Sequence, residues 1–299
     1  MRLPALTSII VVAADSGAGL LDAARRALAS SAAVELLVSD NASSDGSVTA
    51  VAAEFADDSR VRIFHNGANL GFGAGVNRVA PMARGDFLLI LNPDCLLESD
   101  TVARLRARAA TVPRLGVLGA RIRHPDGSDE PASIRRDPTL RRSLLSLSGL
   151  ARFASHRRVW QGVDETLDVA ERGEDRAAEV VSGALMLLPH AVFDAVDGFD
   201  EGYFLHCEDL DLCRRLRDAG YAVHYAGSIA VVHGKGGSSR HRPVFVAWHK
   251  HRGMWRWFCR FDPAARNPAL RGLVWLGLWM RFVALLPLLF WRKWRRARR

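Results

Sequence analysis

The sequence contains few cysteines, and none of them lies in a pairing or metal-binding pattern. The 299 residues include four, Cys95, Cys207, Cys213 and Cys259, and no two of them form a C-x-x-C pair. This spacing excludes a disulfide framework and a zinc-finger type of metal site. We therefore expect reduced thiols in a cytoplasmic protein.

Common nucleotide-binding signatures are also missing. The glycines at 71–75 have the wrong spacing for the dinucleotide-binding G-x-G-x-x-G motif, and no P-loop occurs. The segment 13–19 contains glycines but neither Lys nor Arg, which argues against a metal-dependent nucleotidyltransferase. Internal repeats are absent, and the basic end of the chain is the one low-complexity tract.

Apolar and basic residues are abundant. Hydrophobic residues make up 49% and charged residues 24% of the chain, which is typical of a globular protein with a sizeable core. The net charge is +9, and six of the last eight residues, 292–299, are basic. Such charge suits a nucleic acid, an anionic membrane face or a polyphosphate ligand.

Alternating strand and helix patterns in the first hundred residues predict an α/β fold. Strands are predicted at 7–12, 34–38, 61–64 and 87–91, with helices at 19–30, 47–55 and within 71–83. This order implies a doubly wound, mainly parallel sheet with right-handed crossovers. The apolar start could pass for a signal peptide, but the β-branched run 8–12 favours a buried strand.

The pattern becomes less regular after residue 94. Helices are predicted at 99–110, 191–196 and 208–219, and strands at 115–122, 180–188, 222–225 and 229–232. The segment 124–178 is rich in charge, Pro and Gly and predicts an insertion or acceptor-side loop, with a helical stretch near 139–155.

The last quarter of the chain combines aromatic, apolar and basic residues. Residues 272–291 are almost wholly apolar and long enough to span a bilayer. Arg281 near the middle would cost about 2.5–3.5 kcal/mol on insertion, and Pro287 predicts a break. We favour an interfacial helix or a re-entrant hairpin, flanked by Trp and a basic tail. A true span, and a core or dimer helix, are the alternatives.

Carboxylates end two of the predicted strands. Asp40 follows the second strand and Asp94 the fourth, so both are expected at the C-terminal edge of the sheet, where open α/β sheets bind ligands. A carboxylate there can hold a divalent cation against phosphate oxygens. Asp45, in the loop after Asp40, could act similarly. The alternative is that these residues only cap helices.

Three further segments carry candidate site residues. Glycines in NLGFGAGVN at 69–77 allow the backbone to approach a ligand closely. Glu208 and Asp209 begin a predicted helix, where a carboxylate can take a proton from an attacking hydroxyl, or merely cap the helix. His233 ends a strand before a Gly-rich loop and is a candidate metal or diphosphate ligand, although a lone His is more often structural.

Together these segments resemble the inverting nucleotide-sugar glycosyltransferases of family 2, which have the GT-A fold, and most of all their rhamnosyltransferase-like branch. The resemblance covers about residues 5–240. It rests on SDNASSDG at 39–46, NLGF at 69–72, NPD at 92–94, VSGA at 181–184, GFDE at 198–201, EDLDL at 208–212 and VH at 232–233.

The resemblance implies a role for each matching residue. Asp209 would be the catalytic base, with Glu208 beside it. Asp94 and His233 would bind the metal, Mg²⁺ or Mn²⁺. Asn92 takes the first place of the family's D-x-D motif and would face the ribose, and Asp40 would contact the base. The donor-binding set would be Asp40, Asn41, Asp45, Asn69, Gly71, Asn77, Asn92 and Asp94.

The resemblance also implies an activity and its partners. A sugar, L-rhamnose or a related deoxysugar from a dTDP-sugar, would move to a hydroxyl of a glycan or lipid-diphosphate-linked acceptor in cell-surface polysaccharide synthesis. A UDP-hexose donor, and a non-catalytic membrane-attached protein, are the alternatives. Nucleic acid is not expected as a partner, because strand-end carboxylates repel phosphate without a metal.

This activity predicts a division of the chain. Residues 1–240 would form the GT-A domain, with a nucleotide-sugar half at 1–122 and an acceptor half at 123–240. Residues 241–299 would attach the protein peripherally to the cytoplasmic face of the cell membrane. Basic residues at Arg240, Arg242, Lys250 and Arg252 could steer an acceptor diphosphate.

Overall fold

Four parallel strands form the first part of the main sheet. The computed structural model describes residues 2–148, 162–165, 171–234 and 242–297. The strands are β1 (Leu3–Ala13), β2 (Val34–Asp40), β3 (Val61–His65) and β4 (Gly85–Leu91). They lie in the order β3-β2-β1-β4, and β1 pairs in parallel with β2 and β4. The register pairs Ala13 with Asp40 and Val11 with Leu91, so the strand ends meet at one edge.

Three helices connect these strands and cover both faces of the sheet. They are α1 (Gly19–Leu28), α2 (Ser47–Glu54) and α3 (Phe72–Val79). Helix α1 buries Leu20, Ala24 and Leu28, which recur at helical spacing, against one face. Helix α3 packs Val76 and Val79 against the other. Because both faces are covered, the central strands are continuous apolar runs, as expected of parallel strands.

The second part of the sheet is mixed. Its strands are β5 (Cys95–Leu96), β6 (Leu115–Arg123), β8 (Asp175–Ala177), β10 (Leu185–Pro189) and β11 (Ala222–His233). Strand β10 runs antiparallel between β4 and β6, whereas β6 and β11 are parallel. A separate two-stranded sheet in the described residues joins β7 (Ile134–Arg135) to β9 (Val180–Val181). The helices are α4 (Thr101–Ala110), α5 (Leu140–Ser148), α6 (His190–Ala195) and α7 (Glu208–Asp218).

The structure corrects two strand predictions. Residues 180–188 are not one strand, because the polar turn at Ser182 and Gly183 separates β9 from β10. Conversely, 222–225 and 229–232 belong to one strand, β11, with an irregularity between Ala226 and Ala230. The helical stretch near 139–155 is helical through Ser148, and the rest of it lies outside the described residues.

Two long helices end the described chain, α8 (Pro243–Phe261) and α9 (Pro268–Ala297). Aromatic side chains join them, with the rings of Trp248 and Trp279 4.8 Å apart. The Arg281 side chain contacts α8, where its Nη1 lies 3.1 Å from Nε2 of His251. The predicted break at Pro287 is wrong, because this proline removes one hydrogen bond without ending the helix.

Helix α9 leaves its apolar surface largely uncovered. Residues Pro268–Trp291 have a mean hydropathy of 2.0, and 6% of the most apolar window is buried in the chain. By length and composition alone this segment could cross a membrane. This segment is therefore not a core helix of this chain. Of the alternative that it is a core or dimer helix, only the dimer helix stays a prediction.

Candidate active site

Asp40 ends β2 and is held by its own turn and by the end of the neighbouring strand β3. Its Oδ1 accepts a hydrogen bond from the Ser43 N–H at 2.8 Å, and its Oδ2 lies 2.8 Å from Nδ1 of His65. Burial disfavours the charged form, but the bonds from Ser43 and His65 outweigh it and lower the pKa of Asp40. The structure thus keeps an ionised carboxylate at the edge of the parallel strands.

Asp45 joins two loops at the same edge. Its Oδ1 accepts from the Ser47 hydroxyl at 2.6 Å and from the Ser47 N–H at 3.0 Å, at the start of α2. Its Oδ2 accepts from the Gly17 N–H at 2.7 Å. Asp15 makes the reciprocal bond, with Oδ1 2.8 Å from the Ser44 nitrogen. Asp45 therefore bonds the first residue of α2, although the N-cap position is Gly46. The same contacts fix the shape of the loop edge.

Asn41, Asn69 and Gly71 form one network. The Asn41 amide donates to the Gly71 carbonyl at 3.0 Å, and the Asn69 side chain accepts from the Gly71 N–H at 3.0 Å. Gly71 has a φ of 90°, and a Cβ there would lie 2.5 Å from the Phe204 carbonyl oxygen. The close backbone approach that this glycine permits is therefore to Phe204 of the chain itself.

Asn77, another predicted donor-binding residue, contacts the GFDE turn. Its Oδ1 accepts from the Phe199 N–H at 2.9 Å, and its Nδ2 donates to the Phe199 carbonyl at 2.8 Å. A further bond of 3.0 Å reaches Glu201. These contacts tie α3 to the segment before α7, so the structure gives Asn77 a positioning role within the chain.

Asp94 and His233 lie side by side although 139 positions separate them in the sequence. Strand β5 pairs with the end of β11, which places Cys95 opposite His233. The His233 Nε2 is 3.0 Å from Oδ1 of Asp94 and 3.2 Å from the Asn92 amide. On its other side, Nδ1 lies 2.9 Å from Oε2 of Glu130. Burial disfavours protonation, yet Asp94 and Glu130 raise the pKa of His233 to about 9.

This cluster fits a divalent cation that the substrate helps to bind. A metal-ligating His usually donates its second ring N–H to a carboxylate, which is the position that Glu130 takes. Asp94 and His233 would be the protein ligands of the cation, and the His233 ring would have to be neutral to bind it. No group of three or more His, Cys, Asp and Glu side chains in the described residues is placed to bind a metal by itself. The remaining ligands would be phosphate oxygens and water, which Mg²⁺ commonly retains.

Asp209 is anchored at the start of α7 by residues remote in sequence. Its Oδ2 pairs with the guanidinium of Arg135 and accepts from the Gly183 N–H at 3.1 Å. Its Oδ1 accepts from the Leu210 N–H at 2.8 Å. A Cβ at Gly183 would lie 3.3 Å from the Asp209 Cβ, so the glycine lets the turn between β9 and β10 approach the carboxylate.

Glu208, next to Asp209, has the opposite environment. Its Oε2 is buried and has no hydrogen-bond partner among the described residues. Burial and the neighbouring charge of Asp209 raise the pKa of Glu208 to about 8. Glu208 is therefore largely protonated at neutral pH, whereas the buried Arg135 balances the charge of Asp209. Adjacent carboxyl groups with such different surroundings are typical of acid–base sites.

A short series of contacts connects the two carboxylate clusters. The Asn92 N–H donates to the Ala184 carbonyl at 2.9 Å, directly after β4. Ala184 follows Gly183, whose N–H donates to Asp209. The turn before β10, at Gly183 and Ala184, thus contacts both the Asp209 carboxylate and the first residue of the Asn92–Asp94 turn.

Sequence reasoning missed Glu130 and Arg135. Both lie in the segment 124–178, which carried no motif. Arg135 is 74 residues from Asp209, and Glu130 is 103 from His233. Since neither contact follows from local spacing, a single sequence contains no signal that would have found them.

A model of a known protein family matches about half of this chain. The model for glycosyl transferase family 2 matches residues 8–159. The chain belongs to glycosyltransferase family 2. It is therefore a glycosyltransferase, which confirms the resemblance and removes support from the non-catalytic alternative.

Curated relatives are rhamnosyltransferases. An N-acetylglucosaminyl-diphospho-decaprenol L-rhamnosyltransferase of Mycobacterium tuberculosis is 34% identical, with 80% of this chain and 84% of that protein covered. The rhamnosyltransferase WbbL of Escherichia coli is 28% identical over 50% of this chain and 53% of its own. These similarities place the chain in the rhamnosyltransferase-like part of the family.

Solved structures confirm the GT-A fold. A mannosyltransferase of Pyrobaculum calidifontis, in complex with GDP-Man and Mn²⁺, superposes with a TM-score of 0.58. It is 16% identical, and the match covers 96% of this chain and 73% of that one. At this identity the similarity establishes the fold alone.

Proposed function

We propose that this enzyme transfers L-rhamnose or a related deoxysugar, with inversion, from a dTDP-sugar to a hydroxyl of a lipid-diphosphate-linked glycan in cell-surface polysaccharide synthesis. The Mycobacterium tuberculosis relative, which covers 80% of this chain, is named for an L-rhamnosyl transfer to a diphospho-decaprenol acceptor. The uncovered apolar surface of α9 suits an enzyme that meets such an acceptor at the cytoplasmic face of a membrane.

The observation that carries this proposal is the connection between Asn92–Asp94 and Asp209 through Gly183 and Ala184. Inverting transfer needs a carboxylate base on one side of the anomeric carbon and a group that stabilises the departing diphosphate on the other. This connection includes one candidate for each role: Asp209 is buried and Asp94 is partly buried, which supports stronger electrostatic effects than in water.

The proposed reaction uses Asp209 as the base. Its carboxylate accepts the proton of the acceptor hydroxyl as that oxygen bonds to the anomeric carbon and the bond from this carbon to the diphosphate breaks. Arg135 and the Gly183 N–H orient the carboxylate by holding Oδ2. Protonated Glu208 adds no second negative charge beside the base.

The donor side would position the leaving group. Asp94 and His233 would hold a divalent cation with Glu130 fixing the His233 ring, and Asn92 would face the ribose. A bound Mg²⁺ or Mn²⁺ would neutralise charge on the departing diphosphate. Asp40, held in its ionised form, would accept a hydrogen bond from the nucleobase.

A donor panel tests this proposal. The full chain in lipid nanodiscs would be given Mg²⁺ or Mn²⁺, an N-acetylglucosaminyl diphospholipid, and dTDP-rhamnose, UDP-hexoses or GDP-sugars in turn. We expect dTDP-rhamnose to be the preferred donor, with a product of inverted anomeric configuration by NMR. Preference for a UDP-hexose would replace the donor assignment, and a retained configuration would contradict the proposed role of Asp209.

A further inference from the structure

A charged, open cavity lies beside α8, and its lining does not include Asp209. Its volume is about 930 Å³, and it is lined by the segment 196–202, Arg215, one side of α8 and the part of α9 from Arg271 to Trp279. Arginines and tryptophans dominate its lining. Asp209 and the residues that hold it, Arg135 and Gly183, do not contribute to this lining.

Most of the charge in this cavity is already paired. Arg256 and Arg260 reach Asp200 at 2.9 and 2.5 Å, and Arg260 also reaches Asp211 at 3.0 Å. Arg215 pairs with Asp211 at 2.5 Å. These ion pairs attach α8 to α7 and to the GFDE turn, so they build the walls of the cavity.

Two arginines in the lining have no carboxylate partner within the part of the chain that the structure describes. Arg252 lies exposed on α8. Arg271, in the first turns of α9, lies with its guanidinium 5.8 Å from the centre of the Trp255 ring. One exposed acid, Asp197, also contributes to the lining, so the cavity retains an excess of positive charge.

Apolar surface continues directly from these arginines. Trp248, Trp255 and Trp279 line the cavity, and exposed Trp275 follows one helical turn after Arg271 on α9. Tryptophans at the boundary between charged and apolar surface are characteristic of the membrane interface. A ligand that fits this surface has an anionic head for the arginines and an apolar body that lies along α9.

We propose that this cavity binds the phosphodiester headgroup of an anionic membrane phospholipid, through Arg252 and Arg271. The guanidinium groups hydrogen-bond the phosphate oxygens, and the tryptophans contact the glycerol and upper acyl chains. The lining includes neither Asp209 nor the residues that hold it, which favours a lipid of the bilayer over the acceptor as the ligand. The proposal stands independently of the sugar that the enzyme transfers.

Vesicle binding by the full chain tests this site against diffuse charge attraction. The probes are phosphatidylcholine vesicles with and without phosphatidylglycerol, read by co-flotation. The test variant is Arg252→Gln/Arg271→Gln, and Arg298→Gln/Arg299→Gln removes the same charge from the tail. We expect the first to weaken binding to the mixed vesicles about tenfold or more, because two charge-assisted contacts are lost. The tail variant should weaken binding to the mixed vesicles severalfold less than the cavity variant.

Three results would overturn the site. The first is equal weakening by both double variants, because that would show diffuse attraction. The second is unchanged binding in the cavity variant. The third is equal binding of the wild type to vesicles with and without phosphatidylglycerol. An Arg252→Lys/Arg271→Lys variant keeps the charge but loses the forked donors, so we expect intermediate binding. Thermal unfolding of each variant verifies that it is folded.

Competition identifies the source of the phosphate. Fluorescence of the cavity tryptophans would follow short-chain phosphatidylglycerol, with inorganic phosphate and farnesyl diphosphate as competitors. We expect neither competitor to displace the lipid at equal concentration. Displacement by inorganic phosphate would indicate an unspecific anion site, and stronger binding of farnesyl diphosphate would assign the cavity to the acceptor. No step of this test measures sugar transfer, so it is unaffected if the proposed function fails.

Discussion

Asp40 and Asp209 are both buried carboxylates, but they are held in different ways. The partners of Asp40 are Ser43 and His65, which follow it by 3 and 25 residues. Those of Asp209 include Arg135 and Gly183, which precede it by 74 and 26 residues. The first carboxylate is positioned by its own strand-end turn and by the end of the paired strand β3, whereas the second depends on the packing of an insertion and a turn. A local motif therefore describes the donor side better than the base side.

On the donor side, the largest effect should come from Asp94. We expect Asp94→Ala to lower kcat/KM about 10²–10³-fold, because the departing diphosphate loses a stabilising group. The measurement is kcat/KM with the donor at saturating Mn²⁺. Asp86→Ala removes a carboxylate from the other end of the same strand, where it pairs with Arg106, and should change kcat/KM little. Equal losses in both variants would show that damage to β4, and not loss of a ligand, is responsible.

Arg135 tests whether remote anchoring of Asp209 matters for catalysis. We expect Arg135→Lys to lower kcat about 10-fold with little change in donor KM, because the orienting contact is imperfectly replaced. Arg135→Gln should also lower the free energy of unfolding by about 3–5 kcal/mol, since it leaves a buried carboxylate unpaired.

The neighbouring Arg136 provides the matched control for this prediction. It pairs with Glu165 at 3.3 Å, and in the described residues none of its contacts is with Asp209. Arg136→Lys should leave kcat nearly unchanged. A shift in the pH profile of kcat in Arg135→Lys alone would show an effect on the base; unchanged profiles and rates in both variants would contradict the role of Arg135.

Glu208, beside the proposed base, should make the stability of the protein depend on pH. Its pKa is about 8 in the folded protein against an ordinary value of 4.5, so the folded state binds the extra proton between these values. The contribution of this group to stability is therefore complete below about pH 4.5 and is lost as the pH rises through 8. Glu208→Gln should make the Tm less sensitive to pH between 5 and 8.5, by a few degrees. Glu98 is exposed, so Glu98→Gln should leave the pH dependence of the Tm unchanged. The same unchanged pH dependence in Glu208→Gln would contradict the raised pKa of Glu208.

Asp45 should give the smallest effect because its side chain is exposed. Asp45→Ala removes the bonds to Ser47 at the start of α2 and the bond to Gly17, at a cost of about 1 kcal/mol in the free energy of unfolding. We expect kcat to change less than about threefold, since Asp40 keeps its own bonds to Ser43 and His65. Chemical denaturation and steady-state rates measure the two quantities. A large loss of kcat would indicate that Asp45 contacts the donor directly.

The same contrast explains how much of the fold could be predicted. The strands and helices of residues 3–91 follow from apolar runs, helical spacing and Gly or Ser turns. The antiparallel insertion of β10 between β4 and β6 could not be predicted, because periodicity reveals a strand but not its neighbours. The split of 180–188 could have been suspected from Ser182 and Gly183, which interrupt the apolar run.

The candidate site shows the same limit. Asp40, Asp94, Glu208, Asp209 and His233 lie at element ends, where local patterns point to them. The pairing of His233 with Asp94 needs β5 to reach β11, and the partners Glu130 and Arg135 come from a segment without a motif. These contacts are tertiary, so they become visible only once the chain has been folded.

Separating donor binding from turnover in Asp209→Asn tests the central claim most directly. The variant keeps the size of the side chain but cannot accept the acceptor proton as a carboxylate does. We predict that calorimetry will give a donor Kd within about threefold of the wild type, while kcat falls about 10²–10⁴-fold. Near wild-type turnover, or complete loss of donor binding in a folded variant, would contradict the assignment of Asp209 as the base.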